Sequence, residues 1–406
     1  MIVTDHPPTL SVTSQATRED PTQISVADLY HRISQPNDLF LLDVRNEEDF
    51  NAWRIESRFT PETVNVFYGD VIEDEALFAR RVPKDREIVV LCAKGGASDY
   101  VAEILRSNFG IPAVNVMAGM AGWGNYYRIQ AVIETGKYQV YQVSRPARGC
   151  LSYILACQGQ AVIIDPLRHI EHYLDFLKEK DASLAFILDT HAHADHISGG
   201  PALAKATGAA YFLHPYDGIH PFDMLPANVP YEMLHDGQTF THGDLSLQVI
   251  HTPGHTLGQV NFLVTDAEGA SFLFSGDNIF LQSFGRPDLG GQGAAWAPMV
   301  YETIFHKVKK QVPDQALVLP GHFASPDEGG DDGLFAKSLA RLWAENSDLQ
   351  IADRVDFIKF VLSHLPQMPE QYIEIKRVNA GWSSPDEDEA SELELGKNIC
   401  ALSTAY

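Results

Sequence analysis

Residues 190–196 read Thr-His-Ala-His-Ala-Asp-His and follow directly on the apolar run 186–188. Four side chains able to hold a metal ion, His191, His193, Asp195 and His196, fall within six positions. A hydrophobic core would have to satisfy each of these imidazoles and the carboxylate with hydrogen bonds, so the density points to a metal centre rather than to packing. Three further motifs repeat the arrangement: Thr252-Pro253-Gly254-His255-Thr256, Phe274-Ser275-Gly276-Asp277 and Leu319-Pro320-Gly321-His322. Each sets a His or Asp after an apolar run and beside a Gly or Pro turn, where side chains gather at one edge of a sheet.

A second chemistry is written in Cys92-Ala93-Lys94-Gly95-Gly96-Ala97-Ser98, between an apolar run at 88–91 and a helical pattern at 98–109. Backbone N–H groups of such a loop converge on its centre and the helix N-terminus adds positive potential, so the spacing predicts a Cys92 thiolate. Lys94 is the one cation of the loop and a candidate for contact with an anionic substrate. Cys150, Cys157 and Cys400 lie in no comparable context and are expected to be packing residues.

The elements that must position these groups alternate strand with helix. Ser25 and Asp28 have the spacing of a capping box ahead of a short helix stopped at Pro36; strands are expected at 39–44, 88–91 and 113–117, which implies parallel βαβ units. The pattern weakens at 128–137, where a domain boundary is expected. Strands at 138–143, 151–156 and 161–164 then mix with helices at 170–179 and 202–207, an α/β or αββα layered arrangement. Residues 1–21 are expected to be a mobile lead-in, and the acidic stretch 381–406, with SSPDEDEASELEL at 383–395, a solvated tail.

At 406 residues the chain has room for two or three domains. Thirty basic against 54 acidic residues, a net charge of −24, oppose binding to nucleic acid or an anionic membrane. Four cysteines at irregular spacing fit neither a disulfide framework nor a cysteine-rich zinc site. The first twenty residues lack the basic and apolar regions of a signal peptide, and no apolar run reaches the ~18 residues of a membrane helix. A cytoplasmic, soluble protein is expected.

His191, His193, Asp195, His196, His255, Asp277 and His322 together resemble the metallo-β-lactamase superfamily signature, over residues 138–380. The resemblance implies an αββα sandwich with a metal site at the sheet edges. Gly285-Arg286-Pro287-Asp288, Asn346-Ser347-Asp348-Leu349 and Asn379-Ala380-Gly381 look like the persulfide dioxygenase branch of that superfamily. That resemblance implies one Fe(II) per chain on His193, His255 and Asp277, with the remaining motif residues orienting the ligands or holding a second metal, and a substrate contact for Arg286. Two imidazoles and a carboxylate leave positions of an octahedral iron open for substrate and O₂. With Leu42-Asp43-Val44-Arg45 upstream and 117–123 downstream, the Cys92 loop makes residues 22–128 look like a rhodanese domain, implying sulfane-sulfur transfer through a Cys92 persulfide. Ser98 stands where related phosphatases need Arg, which argues against phosphoryl chemistry. The fold expected is therefore a rhodanese-like parallel-sheet domain followed by a metallo-β-lactamase sandwich. Its expected partners are a small persulfide or thiol and O₂, with a homo-oligomer left open. Two other readings stand beside it: a glyoxalase II-like thioester hydrolase with two Zn(II), and a rhodanese domain serving as a sulfur sensor or docking module.

Overall fold

The computed structural model describes residues 20–402. The chain divides into two compact units between residues 129 and 130, with residues 145–148 counted in the first.

The first unit is built on a five-stranded sheet in the order Gln23–Ile24, Ala113–Val116, Ile88–Leu91, Phe40–Asp43, Glu62–Asn65. Every pairing is parallel. The sheet is covered on both faces, which is why its central strands are continuously apolar: Phe40, Leu42, Ile88 and Val90 enter one core with Val101 and Leu105, while Leu41, Val89 and Leu91 enter another with Leu29, Ile33 and Trp123. The helix Val26–Ile33 is capped by Ser25, whose side chain accepts from the Asp28 N–H at 3.0 Å. The helix Gly96–Phe109 follows Gly95, which turns the chain at φ +95°.

The second unit stacks a seven-stranded sheet on a six-stranded one. The first runs in the order Glu232–Met233, Ala210–Leu213, Ser183–Leu188, Gln160–Ile164, Cys150–Cys157, Tyr138–Arg145, Arg128–Glu134. The second runs Thr239–His242, Leu245–His251, Val260–Thr265, Ser271–Gly276, Leu317–Pro320, Lys337–Ser338. Val140, Leu155, Val162 and Leu188 of the first meet Leu247, Val249, Phe262, Phe272 and Leu319 of the second in one core. Leu245, Leu247 and Val249 are buried while Ser246 and Gln248 are exposed, the two-residue alternation of a strand with one face in that core. Ala297, Val300, Ile304, Phe357 and Val361 add a helical layer, which completes the expected αββα order.

The division between residues 129 and 130 falls within the expected boundary at 128–137, and the strand Arg128–Glu134, which belongs to the seven-stranded sheet, runs across it. One expectation is corrected. Of the expected solvated tail at 381–406, residues 403–406 lie outside the described residues and residues 381–402 fold onto the second unit. Its acidic run forms the helix Glu387–Leu393, started by an Asp386–Glu389 capping box, and the acidic side chains find a cation. Arg168 donates to Glu387 at 2.6 Å and to Glu394 at 3.1 Å, and the other oxygen of Glu394 accepts from the Ile197 N–H at 2.8 Å. Of the expected mobile lead-in, residues 1–19 lie outside the described residues, and Gln23–Ile24 is already a strand.

Glu394 is 2% exposed, so its loss removes a buried carboxylate from Arg168, which keeps Glu387, and leaves the Ile197 N–H without its acceptor. Glu394→Ala is expected to destabilise the second unit by about 3 kcal/mol, read as a lower urea midpoint at unchanged slope, while the transition of the first unit stays in place.

Candidate functional site

The metal-motif loop is pinned where the seven-stranded sheet ends. Ser183–Leu188 runs parallel to Gln160–Ile164, so Asp165 emerges beside Thr190. Its carboxylate accepts from the Thr190 N–H at 2.6 Å and from Thr190 Oγ1 at 2.9 Å. In the other sheet Ser271–Gly276 is parallel to Leu317–Pro320 with Gly276 level with Pro320, which brings Asp277 and His322 together just past the strand ends. Gly276 has φ +48°, and a Cβ there would meet Thr190 Oγ1 at 2.3 Å. A Cβ on Gly285 would meet His255 Nδ1 at 2.7 Å. The two sheet ends close on each other only because these positions carry no side chain.

Nε2 of His191, Nε2 of His255 and a carboxylate oxygen of Asp277 lie within 4.8 Å of one another. His255 Nδ1 pairs with the Arg286 carbonyl at 2.9 Å, which turns Nε2 toward Asp277 Oδ2, 3.3 Å away; His191 Nε2 is 3.8 Å from the same oxygen. Those two nitrogens and Asp277 Oδ2 are buried and make no hydrogen bond. Burial lowers the pKa of both imidazoles, which favours the neutral form, and the charged His322 keeps the Asp277 carboxyl below its usual range despite its burial. Neutral imidazoles, an ionised carboxylate and three unpartnered donor atoms aimed at one point fit a divalent metal.

Of the expected trio of His193, His255 and Asp277, the last two meet His191. His193 lies 4.2 Å from His191 ring to ring, with Nε2 3.3 Å from Asp165 and 4.0 Å from Asp189 and a buried Nδ1 that makes no hydrogen bond. Burial pushes the Asp189 carboxyl up to about 6, against the pull of His193.

Asp195, His196 and His322 collect on the other side of Asp277, joined by Cys150. His322 uses both ring nitrogens, Nδ1 to Asp277 Oδ1 at 2.6 Å and Nε2 to Asp195 Oδ2 at 2.9 Å, and the two carboxylates overcome the cost of burial to hold its imidazolium well above the ordinary histidine range. Cys150 Sγ donates to Asp195 Oδ2 at 3.3 Å, and Cys400 approaches Asp277 and His322 from the C-terminal segment. Both cysteines, expected to be packing residues, border the centre; their spacing carries no signal because they arrive from a strand start and from a segment more than 120 residues beyond Asp277. Asp165 was also missed, yet it had a signal: an apolar run, then Asp165-Pro166, the pattern that marked the other positions.

A helix near the C-terminus, Gln371–Asn379, clamps the loop from outside. Asn379 Nδ2 donates to the carbonyls of His193 and His196 at 2.9 and 3.0 Å, its Oδ1 accepts from the Ser198 N–H at 2.9 Å, and Lys376 Nζ donates to the Ala192 carbonyl at 2.8 Å. Beside it a cavity of about 280 Å³ is bordered by His193, Tyr216, Asp217, Met224, Trp296 and Lys376. The substrate contact expected of Arg286 is corrected. The guanidinium is fully buried, forks onto Asp288 at 2.7 and 2.8 Å and donates to the Pro366 and Ile399 carbonyls, so it ties chain segments together.

In the first unit, Cys92 Sγ accepts from the Gly95 N–H at 3.1 Å and lies 3.0 Å from Ser98 Oγ. The following motif holds the loop: Met120 N–H donates to the Cys92 carbonyl at 2.9 Å, and a Cβ on Gly119 would meet that carbonyl at 2.2 Å. Lys94 is exposed on the loop surface. The sequence pointed to Cys92 and Lys94 in this loop; Ser98, whose hydroxyl lies 3.0 Å from the sulfur, stood out there only as the position where phosphatases need Arg.

The family model of the metallo-beta-lactamase superfamily matches residues 145–338, and that of the rhodanese-like domain matches residues 25–126. A probable polyketide biosynthesis zinc-dependent hydrolase, BaeB, of Bacillus velezensis is 29% identical over 211 residues, 51% of this chain and 85% of its own. A hydroxyacylglutathione hydrolase of Polaromonas sp. is 32% identical over 173 residues, 42% of this chain and 61% of its own. A crystal structure of a metallo-beta-lactamase from Staphylococcus aureus superposes with a TM-score of 0.54 at 27% identity, over 61% of this chain and 74% of that one.

Because Asn379 fixes the backbone on which His191, His193 and His196 stand, Asn379→Ala is expected to weaken metal binding on the order of tenfold or more while the fold persists. Competition with a chromophoric chelator gives the affinity, and circular dichroism checks the fold.

Proposed function

The chain belongs to the metallo-beta-lactamase superfamily and carries a rhodanese-like domain ahead of that fold, and from this premise we propose that it oxidises a glutathione-type persulfide to sulfite and thiol with one Fe(II), coupled to sulfane-sulfur transfer through Cys92. The observation that carries the reading is the pairing, in one chain, of a sulfur-holding cysteine loop with a donor trio of two imidazoles and one carboxylate.

In the first domain, Cys92 Sγ attacks the sulfane sulfur of a donor; the donor's S–S bond breaks and its electron pair leaves with the remainder, sulfite when the donor is thiosulfate. The Gly95 N–H and Ser98 hydroxyl then face an anionic persulfide. A thiolate acceptor attacks the outer sulfur, restores Cys92 and carries the persulfide away. In the second domain His191, His255 and Asp277 would hold the metal, and Fe(II) bound there would supply redox chemistry and open coordination positions. The overall reaction, R–S–SH + O₂ + H₂O → R–SH + SO₃²⁻ + 2 H⁺, moves four electrons from the outer sulfur to oxygen. His322 is already bonded through both nitrogens to Asp277 and Asp195, so it steadies the carboxylate ligand rather than adding to the trio. The motif residues on which the dioxygenase resemblance rests support the same centre: the Arg286 carbonyl sets the His255 ring and Asn379 sets the loop.

A thioester hydrolase with two Zn(II) is the second reading. It is favoured by the similarity to a hydroxyacylglutathione hydrolase and by the second group of donors at Cys150, Asp195, His196 and His322.

Protein isolated without oxygen is expected to hold one iron per chain and to consume one O₂ per glutathione persulfide in an oxygen electrode, both lost in His255→Ala. Two zincs per chain, with hydrolysis of a glutathione thioester and no oxygen uptake, would establish the hydrolase instead. Treatment with a sulfane-sulfur donor is expected to add one sulfur to the intact mass of the parent chain and none to Cys92→Ser, which keeps its iron. A gain undiminished in Cys92→Ser would place the carrier on another cysteine.

A further inference from the structure

We infer that the cavity beside the metal-motif loop holds the carrier end of the substrate, and that this carrier is an apolar body, aromatic or aliphatic, bearing one anionic group that pairs with Lys376. The inference rests on the trio of His191, His255 and Asp277 being the place of reaction, and not on which reaction occurs there.

One charge is unanswered. Lys376 is the only lysine or arginine bordering the cavity of about 280 Å³, and it is 5% exposed. Among the described residues its Nζ makes one hydrogen bond, to the Ala192 carbonyl, and no ion pair. An ammonium carries three N–H donors, so two of them lie inside the protein without a protein partner. Neither carboxylate of the cavity pairs with it: Asp217 uses its oxygens on the Ala192 N–H, the Thr256 hydroxyl and the Gly258 N–H, and Asp189 Oδ2 takes the hydroxyls of Ser198 and Tyr211. Burial lowers the pKa of the lysine, an effect that an anion beside it offsets. A buried cation without an ion-pair partner at the wall of a cavity points to an anionic ligand.

The walls are apolar. Trp296 and Leu213 are buried in them, while Tyr216, Ile219, Met224 and Leu257 border the same cavity and stand exposed. Large apolar side chains gathered round one concavity favour an apolar ligand. The rim is fixed in advance. Met224 sits at φ +54°, which a non-glycine residue holds only where its surroundings impose it. Arg377 forks onto Asp223 at 2.8 and 3.0 Å, Trp382 Nε1 donates to the Pro226 carbonyl at 3.1 Å, and the Asn228 N–H donates to the Ala380 carbonyl at 2.6 Å. His193 borders the cavity as well, so its occupant lies against the loop that also bears His191. Of glutathione's two carboxylates and one ammonium, Lys376 answers one; a thiol with an apolar body and a single carboxylate has every group answered. The inference thus refines the carrier of the persulfide reading toward apolar thiols.

Isothermal titration calorimetry of the full chain as isolated tests this with 3-phenylpropanoate, its neutral analogue 3-phenylpropanamide, and S-methylglutathione. The carboxylate is expected to bind about tenfold or more tighter than the amide, and tighter than S-methylglutathione. Lys376→Met is expected to erase the preference for carboxylate over amide and Lys376→Arg to keep it, while Ile219→Glu, at an exposed rim position, weakens both ligands. In whichever activity the parent shows, oxygen uptake or thioester hydrolysis, 3-phenylpropanoate is expected to raise KM and leave kcat in place. A preference that survives in Lys376→Met puts the carboxylate on the metal and overturns the proposal, as do absent binding, tighter binding of S-methylglutathione, or an unchanged KM. If Lys376→Met fails to fold by circular dichroism, the preference measured in His255→Ala, whose trio is broken, decides: its loss there overturns the proposal. If the parent shows neither activity, both readings of the reaction fail while the calorimetry still decides this one.

Discussion

Asp277 is the carboxylate on which the second domain's chemistry turns. One oxygen binds His322, which passes the contact on to Asp195; the other faces His191 and His255 with no hydrogen bond of its own. Burying so many ionisable groups is tolerable only if each meets an opposite charge, a donor or a metal. On the His322 side the protein meets that requirement itself, with an imidazolium between two carboxylates. On the His191 side it does not, and the shortfall in satisfied atoms is the physical mark of a place left for an ion. Replacing Asp277 would break both sides together.

The parallel register of the strands delivers this carboxylate. Gly276 level with Pro320 places residues 277 and 322 side by side, and glycines at 276 and 285 allow the opposite loop and the His255 ring to come close. The first domain uses the same device in smaller form. A buried parallel strand ends at Cys92, a glycine with positive φ turns the chain, and the sulfur lies among donors at the start of a helix. Both centres therefore inherit their precision from buried strands, with the variable chemistry confined to the loops that follow them.

What the sequence disclosed follows from this. Motifs at strand ends are legible because an apolar run and a turn residue fix where the side chain emerges, and His191, His255, Asp277, His322 and Cys92 were all found that way. The direction in which each side chain turns is not local information. His191 and His193 are two residues apart and equivalent as text; Asp165 and Asp189 draw one of them away, and Asp165 lies 28 residues upstream of His193. Arg286 was misread because the fork of its guanidinium onto Asp288 and its burial under the C-terminal segment depend on residues 366 and 399. The acidic stretch beginning at 381 was misread for the complementary reason: net charge argues for solvent, but one buried arginine, Arg168, gathers Glu387 and Glu394 onto the surface of the fold.

These long-range ties have a consequence for how the centre is assembled. The loop that bears four of the candidate ligands is held at the Ala192, His193 and His196 carbonyls and at the Ile197 and Ser198 N–H groups by Lys376, Asn379 and Glu394, about 180 to 200 residues later in sequence. Contacts of such separation form late, because the loop-closure entropy must be met before they stabilise anything. The strand ends can gather the ligands beforehand, but their backbone is fixed only when the C-terminal helices dock. A metal that prefers the finished geometry therefore binds more tightly to the docked state and, by linkage, holds the C-terminal segment in place.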